Sequence, residues 1–309
     1  MKQSINEHMI RLVDEYIDVM SLNELLKSFI ADKAEENGAW AKVTLCTHYM
    51  LGGNSPQIDR YAALAELANL ILDIVDDLQD QDQEDKPWMR VSQAEALNAV
   101  LALLMGFFGE MGHLQVKPER LVEVTRAIGR SINGQHKDVV NAADSADDYM
   151  KMTQEKSGSL FRLACLMGHM TLECPQDTVS QLNDLADCIG LIHQIQNDMR
   201  DLLRYDKKND LYAKKRTLPI LYLLQVEDET FRSFQDYYDG RITVHELLHD
   251  EEAFVRLIQN SGCLEYGQVV QSVCVQKAQE LYEGLAAVSP WKERFREVTF
   301  GAYLEEATP

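Results

Sequence analysis

Carboxylates at helical spacing are the first feature of this sequence that could do chemistry. The segment ILDIVDDLQDQDQ carries Asp73, Asp76, Asp77, Asp80 and Asp82 at the end of a strongly apolar stretch. On a helix, steps of three and four residues return to the same side, so Asp73, Asp76, Asp77 and Asp80 share one face. Stacked carboxylates repel one another, and a helix C-terminus is already the negative end of its macrodipole. Hard Mg²⁺ ions, each bound by one or two carboxylates and by phosphate oxygens of a substrate, would compensate. A solvated acidic helix end is the alternative. A second segment, GLIHQIQNDMRDLLRYD, places Asn197, Asp198 and Asp201 at the end of another apolar stretch. If the two helix ends face each other across a bundle, Asp76, Asp77, Asp80, Asn197, Asp198 and Asp201 can hold several Mg²⁺ ions around one diphosphate and make it a good leaving group. Lys156, in EKSGSLF, and Lys215, in AKKRTLP, stand beside turn-forming or helix-starting residues and would complete the neutralisation, although a surface position is the usual fate of Lys.

The elements that must position these residues are helices. Apolar residues recur at three- and four-residue steps almost everywhere, as in YAALAELANLILDIVDDL and LFRLACLMGHMTL, and no convincing period-two strand is present. Pro is scarce at 7 residues and Gly moderate at 16, while 46% of the 309 residues are hydrophobic. Turn-like punctuation at Gly52 to Pro56, Lys86 to Trp88, Gln115 to Pro118, Cys174-Pro175, Lys207 to Asp210 and Ser289-Pro290 divides the chain into about ten helices. With no linker-like composition and no fixed-period repeat, residues 1–309 are expected to form one all-α domain. The longest uncharged run, Ala96 to Gly109, is too short for a bilayer span of about 20 residues and reads as a buried central helix. The N-terminal segment mixes charge with apolar residues and lacks the apolar stretch of an export signal. Six scattered cysteines without a CxxC pair suit reduced thiols, so a cytoplasmic protein without a stable membrane anchor is expected. A formal net charge of -20 disfavours nucleic acid and anionic membranes as partners.

Taken in order, the motifs resemble those of the trans-isoprenyl diphosphate synthases, from about Gly52 to the end. Asp76-Asp77-Leu78-Gln79-Asp80 matches that family's first DDxxD motif. Asn197-Asp198-Met199-Arg200-Asp201, with Gln194 upstream, is similar to the second. Gly134-Gln135 with Asp138 resembles GQxxD, and Lys156-Ser157-Gly158 resembles KTG. Lys215 to Pro219 resembles GKxTLP with Lys214 in place of glycine, and Ser261 to Tyr266 resembles a late helix start. The resemblance implies an isoprenoid-synthase-type bundle of about ten or more helices around a deep central cavity. It also implies Mg²⁺ held by Asp76 and Asp80 on one side and by Asn197 and Asp201 on the other. Lys156, Gln135, Gln194 and Lys215 would bind an allylic isoprenyl diphosphate, with Asp76, Asp80, Lys156, Gln194 and Lys215 catalytic. Asn197 replaces the usual first aspartate, and an amide oxygen ligates a hard cation without adding charge.

Chain-elongating members carry an early GKRxRP motif and an arginine pair after the first DDxxD, both for isopentenyl diphosphate. Here those stretches read ENGAWAKVTLC and DQDQEDKPWMR. Arg is the preferred bidentate partner of phosphate, so the anionic acceptor site is expected to be lost while the donor site survives. That pattern is similar to the ComQ branch, whose members transfer geranyl or farnesyl to a tryptophan of a quorum-sensing pheromone precursor peptide. The length of the donor stays open, with Ile71 and Leu72 at the positions where the family often gates chain depth, and a homodimer stays open as well. Alternatives are a chain-elongating polyprenyl diphosphate synthase, a non-catalytic helical partner subunit, and a zinc metallopeptidase, since His245-Glu246-Leu247-Leu248-His249 fits HExxH. A helix with two histidines one turn apart, a cleft and a third ligand would be needed for the last, and an exposed amphipathic helix is the plainer reading.

Overall fold

The structure, a computed structural model, describes residues 2–36, 38–81, 83–204 and 210–306. Asp82 and most of the turn at 207–210 lie outside the described residues. All regular structure among those residues is helical. In chain order the α-helices are α1 (Lys2–Tyr16), α2 (Met20–Glu35), α3 (Ala39–Met50), α4 (Ile58–Asp80), α5 (Gln93–His113), α6 (Pro118–Val139), α7 (Ala146–Thr153) and α8 (Ser159–Gly168). They continue as α9 (Gln176–Leu202), α10 (Leu218–Gln225), α11 (Arg232–Tyr238), α12 (Val244–Leu247), α13 (Glu251–Asn260), α14 (Cys263–Gly284), α15 (Trp291–Thr299) and α16 (Ala302–Glu306).

The starts of these helices are written locally. Ser92 and Glu95 close a capping box at α5, Pro118 occupies the first position of α6, and the Asp250 side chain accepts from the Ala253 amide at α13. The central element is α4. Its Ala62 to Ala65 and Leu67 to Ile71 are buried around the whole circumference, and it packs against α1, α3, α5 and α8. At 23 residues it spans roughly 34 Å, long enough to carry its C-terminal aspartates from the core to the rim of the bundle. The other long helix, α9, lies between α8 and α14. A second, smaller core of Leu202, Leu211, Leu223, Phe234, Phe254 and Ile258 ties α10, α11 and α13 to the end of α9, and Leu264 at the start of α14 packs against both cores.

The expectation of a buried central helix at Ala96 to Gly109 is corrected. Only one side of α5, through Ala96, Ala99, Leu103, Phe107 and Met111, is buried, while Leu97, Leu101 and Met105 are 49%, 59% and 55% exposed. An uncharged run gives no indication of which face meets the core; α4, interrupted by Glu66 and Asn69, took the central place because small alanines let its neighbours close in. Among the described residues α5 is the one helix long and apolar enough to cross a membrane. All six cysteines are free thiols.

Candidate active site

The acidic end of α4 splits its carboxylates among different partners. Asp76 accepts from Lys156 Nζ at 3.1 Å and from Gln135 Nε2 at 2.6 Å. Asp80 pairs with Lys215 Nζ at 2.8 Å. One turn earlier, Asp73 accepts from Lys33 Nζ at 2.6 Å and from Asn69 Nδ2 at 2.8 Å. Asp77 turns one oxygen aside to the buried indole N–H of Trp88 at 2.8 Å, although it still lines the acidic cleft. The aspartates therefore lie along one helix but do not act as a single face.

Lys156 reaches Asp76 from an irregular turn. Gln154–Gly158 is a π-helical segment between α7 and α8, and such widened turns displace a side chain from the ordinary helical path. Glycines make the space. A Cβ at Gly134 on α6 would lie 2.2 Å from the Lys156 backbone nitrogen, and one at Gly190 on α9 would lie 2.4 Å from the Gly158 nitrogen. Arg130 fastens the same turn by donating to the Gln154 carbonyl at 2.7 Å while pairing with Asp187, which Arg162 also clasps through two nitrogens. Lys215 arrives from the segment before α10, where Lys214 adopts φ 52°. That left-handed geometry favours glycine, and here Lys214 holds it by donating to the Tyr237 carbonyl at 2.7 Å with its ammonium 4.7 Å from the Tyr237 ring centroid.

The two lysines converge on Asp138 of α6, whose Oδ2 accepts from Lys156 at 2.8 Å and from Lys215 at 2.9 Å. Burial works against the Asp138 charge, but the two ammonium groups outweigh it and hold the carboxyl below its usual range. Burial also opposes the Lys156 charge, yet Asp76, Asp138 and Asp80 keep it well above the ordinary lysine range. Both lysines are thus cations at neutral pH, stationed beside the acidic helix end.

The end of α9 is organised differently. Gln194 donates to Asp198 at 2.8 Å and accepts from the Ser157 hydroxyl at 2.9 Å, which fixes its amide orientation. Asp198 is buried and also accepts from the Tyr149 hydroxyl at 2.6 Å; burial pushes its carboxyl up to about 7. Asn197 and Asp201 both meet Arg200, at 3.0 and 3.3 Å.

These residues enclose two adjoining spaces. A polar cleft of ≈ 220 Å³ is lined by Asp76, Asp77, Asp80, Asp198, Asp201 and Lys215, with Asn197 beside them. A cavity of ≈ 550 Å³ shares Asp76, Lys156, Gln194 and Asn197 with it and continues along Val43, Leu72, Val75, Leu160 and Phe161. Trp40 packs on Phe161 at 4.6 Å between ring centroids, and Phe161 stacks on His193 at 5.5 Å. Leu72 lines this cavity, whereas Ile71 is buried in the core. The donor set is all oxygen, which suits a hard divalent cation. Among the described residues no group of three or more His, Cys, Asp and Glu is close enough to hold a metal, so water or phosphate oxygens would have to complete any coordination sphere.

Every sequence-selected residue, Asp76, Asp77, Asp80, Gln135, Lys156, Gln194, Asn197, Asp198, Asp201 and Lys215, lines one or both spaces. Sequence reasoning missed the roles of Tyr149, Asp187 and Asp210, and it quoted Asp138 without giving it a role. Asp210 lines the polar cleft, and burial raises it to about 6. Nothing in local spacing marks these four; Asp138 alone had a signal, its place in the GQxxD segment. The HExxH sequence is broken in space. α12 ends at Leu247, before His249, and Glu246 is occupied in a capping box with Thr243.

An α-helical bundle that brings two acidic helix ends and two lysines to the mouth of a largely apolar cavity is built to hold an isoprenyl diphosphate, and the protein is a prenyltransferase. The chain belongs to the polyprenyl synthetase family, whose pattern matches residues 12–250. It is 28% identical over 288 residues to the tryptophan prenyltransferase ComQ of Bacillus subtilis (strain 168), covering 93% of this chain and 94% of that one. The fold superposes on a decaprenyl diphosphate synthase from Rhodobacter capsulatus with a TM-score of 0.81 and 19% identity, over 100% and 97% of the two chains. A geranylgeranyl pyrophosphate synthase from Corynebacterium glutamicum, solved with calcium and isoprenyl diphosphate, matches with a TM-score of 0.74 and 19% identity over 99% and 96%.

Proposed function

We propose that this enzyme moves a geranyl or farnesyl group from its diphosphate to a tryptophan of a pheromone precursor peptide, with Mg²⁺ as cofactor. The observation that carries this reading is the charge balance on the acceptor side of the cavity. Lys33 is committed to Asp73 and Glu36, Lys86 bridges Asp32 and Glu36, and no arginine is among the described lining residues. A second diphosphate entering beside Glu36 and Asp73 would meet carboxylates whose counter-ions are already engaged. A neutral indole meets no such repulsion.

Lys156 and Lys215 are placed to take the diphosphate as the allylic C–O bond breaks and its electron pair departs with the leaving group. Bound Mg²⁺, for which Asp76, Asp80, Asn197 and Asp201 offer hard oxygens, would further neutralise the leaving charge. An indole carbon then bonds to the allylic carbon, and the acceptor gives up one proton, for which the departing diphosphate is the base at hand. Trp40, Phe161 and His193 wall the cavity against water that would otherwise capture the cation. The reading includes a cytoplasmic location and is compatible with a homodimer.

A paired assay tests it: one allylic donor with Mg²⁺, offered either isopentenyl diphosphate or tryptophan-containing peptides, with products weighed by mass spectrometry. Peptides heavier by one geranyl or farnesyl group are expected. Efficient elongation of the donor with no peptide adduct would return the enzyme to the chain-elongating class.

A further inference from the structure

The ≈ 550 Å³ cavity has two unlike walls. Where α4 and α6 line it the surface is aliphatic, with Leu72 one helical turn before Asp76, Val75 beside it, and Ile132 and Val139 one turn to either side of Gln135. An allylic diphosphate held at Asp76 would lay its hydrocarbon tail along that wall. The wall supplied by α3, α8 and α9 is aromatic. Trp40, Phe161 and His193 line it, and each is only partly buried, so some ring surface stays accessible.

This aromatic row is fixed from both ends. Gly38 takes a φ of 61° to enter α3, and the carboxylate of Glu66 on α4, 3% exposed, accepts from the Ala41 amide at 2.8 Å. A buried side chain of the central helix thus caps the helix start that carries Trp40. At the other end His193 Nε2 lies 2.7 Å from the Thr299 carbonyl; a carbonyl only accepts, so Nε2 carries the hydrogen, and Nδ1 is left to accept from the Tyr303 hydroxyl at 3.3 Å. With both nitrogens engaged by the turn between α15 and α16, the imidazole meets Phe161 through its face, at an interplanar angle of 24°. Phe161 in turn meets Trp40 at 46°. The rings are therefore positioned without help from a ligand, which lowers the cost of ordering one against them.

The occupant of this wall is constrained by its surroundings. Lys33 and Glu36 line the cavity next to Trp40, and Lys33 is already engaged by Glu36 and Asp73, which disfavours an anion there. A prenyl tail gains from any apolar surface and has the aliphatic wall beside Asp76. Aromatic side chains add a preference that aliphatic ones lack, because rings attract other rings through offset and edge-on contacts.

We propose that Trp40 packs against the aromatic side chain of the acceptor and is a specificity-determining residue, recognising a ring in the stretch ENGAWAKVTLC, where the arginines of the chain-elongating pattern are missing. This assignment rests on the tryptophan reading given above. Phe161 and His193 support Trp40 from behind, and Glu66 sets its place relative to the helix that carries Asp76 and Asp80.

The test separates recognition of a ring from recognition of apolar bulk. A pool of peptides with tryptophan at one fixed position is the substrate, with one allylic diphosphate and Mg²⁺. Two further pools, with phenylalanine or cyclohexylalanine at that position, compete as inhibitors; the two side chains have similar size, and only one is aromatic. The readout is the ratio of the two inhibition constants within each protein, so a loss of activity or of folded fraction cancels. Wild type is expected to bind the phenylalanine pool about three- to tenfold more tightly, the worth of one aromatic contact. That preference should fall to within about twofold in Trp40→Leu or Trp40→Ile, whichever folds, and persist in Trp40→Phe. An undiminished preference in the aliphatic variants, an equal loss in Trp40→Phe, or no preference in wild type would overturn the role of Trp40 while leaving the tryptophan reading intact. Failure of wild type to modify the tryptophan pool, with isopentenyl diphosphate consumed instead, would overturn the reading and the assignment together.

Discussion

The two acidic helix ends look alike in sequence and differ in the folded protein. At the end of α4, Asp76 and Asp80 are met by lysines that come from distant segments, the π-helical turn before α8 and the strand of chain before α10. At the end of α9, Asp198 is met by neutral donors, the Tyr149 hydroxyl and the Gln194 amide, and Asn197 and Asp201 share an arginine of their own helix. One end depends on tertiary structure to balance its charge; the other is balanced within its own turn or by holding a proton. On the proposed function, a reacting diphosphate would therefore meet protein cations mainly beside the end of α4, and α9 would contribute oxygens whose charge is adjustable.

If that contrast is right, the largest loss follows from the α4 side. Asp76→Ala or Asp80→Ala should lower transfer by about a hundred- to a thousandfold, the range seen when one preorganised electrostatic group is removed. Their circular dichroism should stay unchanged, because Lys156 and Lys215 remain paired with Asp138. A radiolabelled allylic donor assay measures the loss, and full activity in either variant would break the comparison.

A smaller effect sharpens the α9 side. In metal-free protein the Asp198 carboxyl sits at about 7 against its ordinary 3.8 because burial disfavours the charge, with Tyr149 and Gln194 only partly opposing the shift. The unfolded chain releases this proton near the ordinary value and the folded chain keeps it longer, so between about pH 4 and pH 7 the folded state binds more protons and stability falls as pH rises. Asp198→Asn removes that contribution. Thermal melts in chelator across this range should show a flatter pH dependence for the variant than for wild type, and parallel curves would mean that Asp198 is ionised throughout.

The smallest effect belongs to a motif outside both helix ends. His245→Ala and His249→Ala should leave transfer within about twofold, in the range of surface substitutions, and elemental analysis should find no tightly bound zinc in wild type. Stoichiometric zinc lost in both variants would reopen the metallopeptidase alternative.

Much of this was readable from the chain because helices repeat with a fixed period. The spacing of Asp76 and Asp80, and of Asn197 and Asp201, already implied that each pair shares a side of its helix, and the apolar residues before them implied burial up to the cleft. Lys156 and Lys215 stood out beside turn-forming or helix-starting residues, and family resemblance supplied Gln135 and Gln194. What stayed hidden depends on separations that sequence does not encode locally. Asp138 meets Lys215 across 77 positions and Tyr149 meets Asp198 across 49. The turn that delivers Lys156 depends on Gly134 and Gly190 lending space from two other helices. Asp77 looked equivalent to its neighbours until Trp88 folded back to it. For α5, an unbroken apolar run suggested depth, whereas burial was decided by which helix could be approached from all sides.

The meeting of Lys156 and Lys215 on Asp138 has a thermodynamic consequence. The lysines and the carboxylates of α4 and α6 occupy each other. A diphosphate that draws the lysines away uncovers Asp76 and Asp80 for a divalent cation, and a cation that takes those oxygens frees the lysines for the anion. Each ligand removes an obstacle to the other, and linkage requires the gain to be the same in both directions. Free metal and bare diphosphate should each bind weakly alone and tightly together, with their separate dissociation constants falling by one common factor.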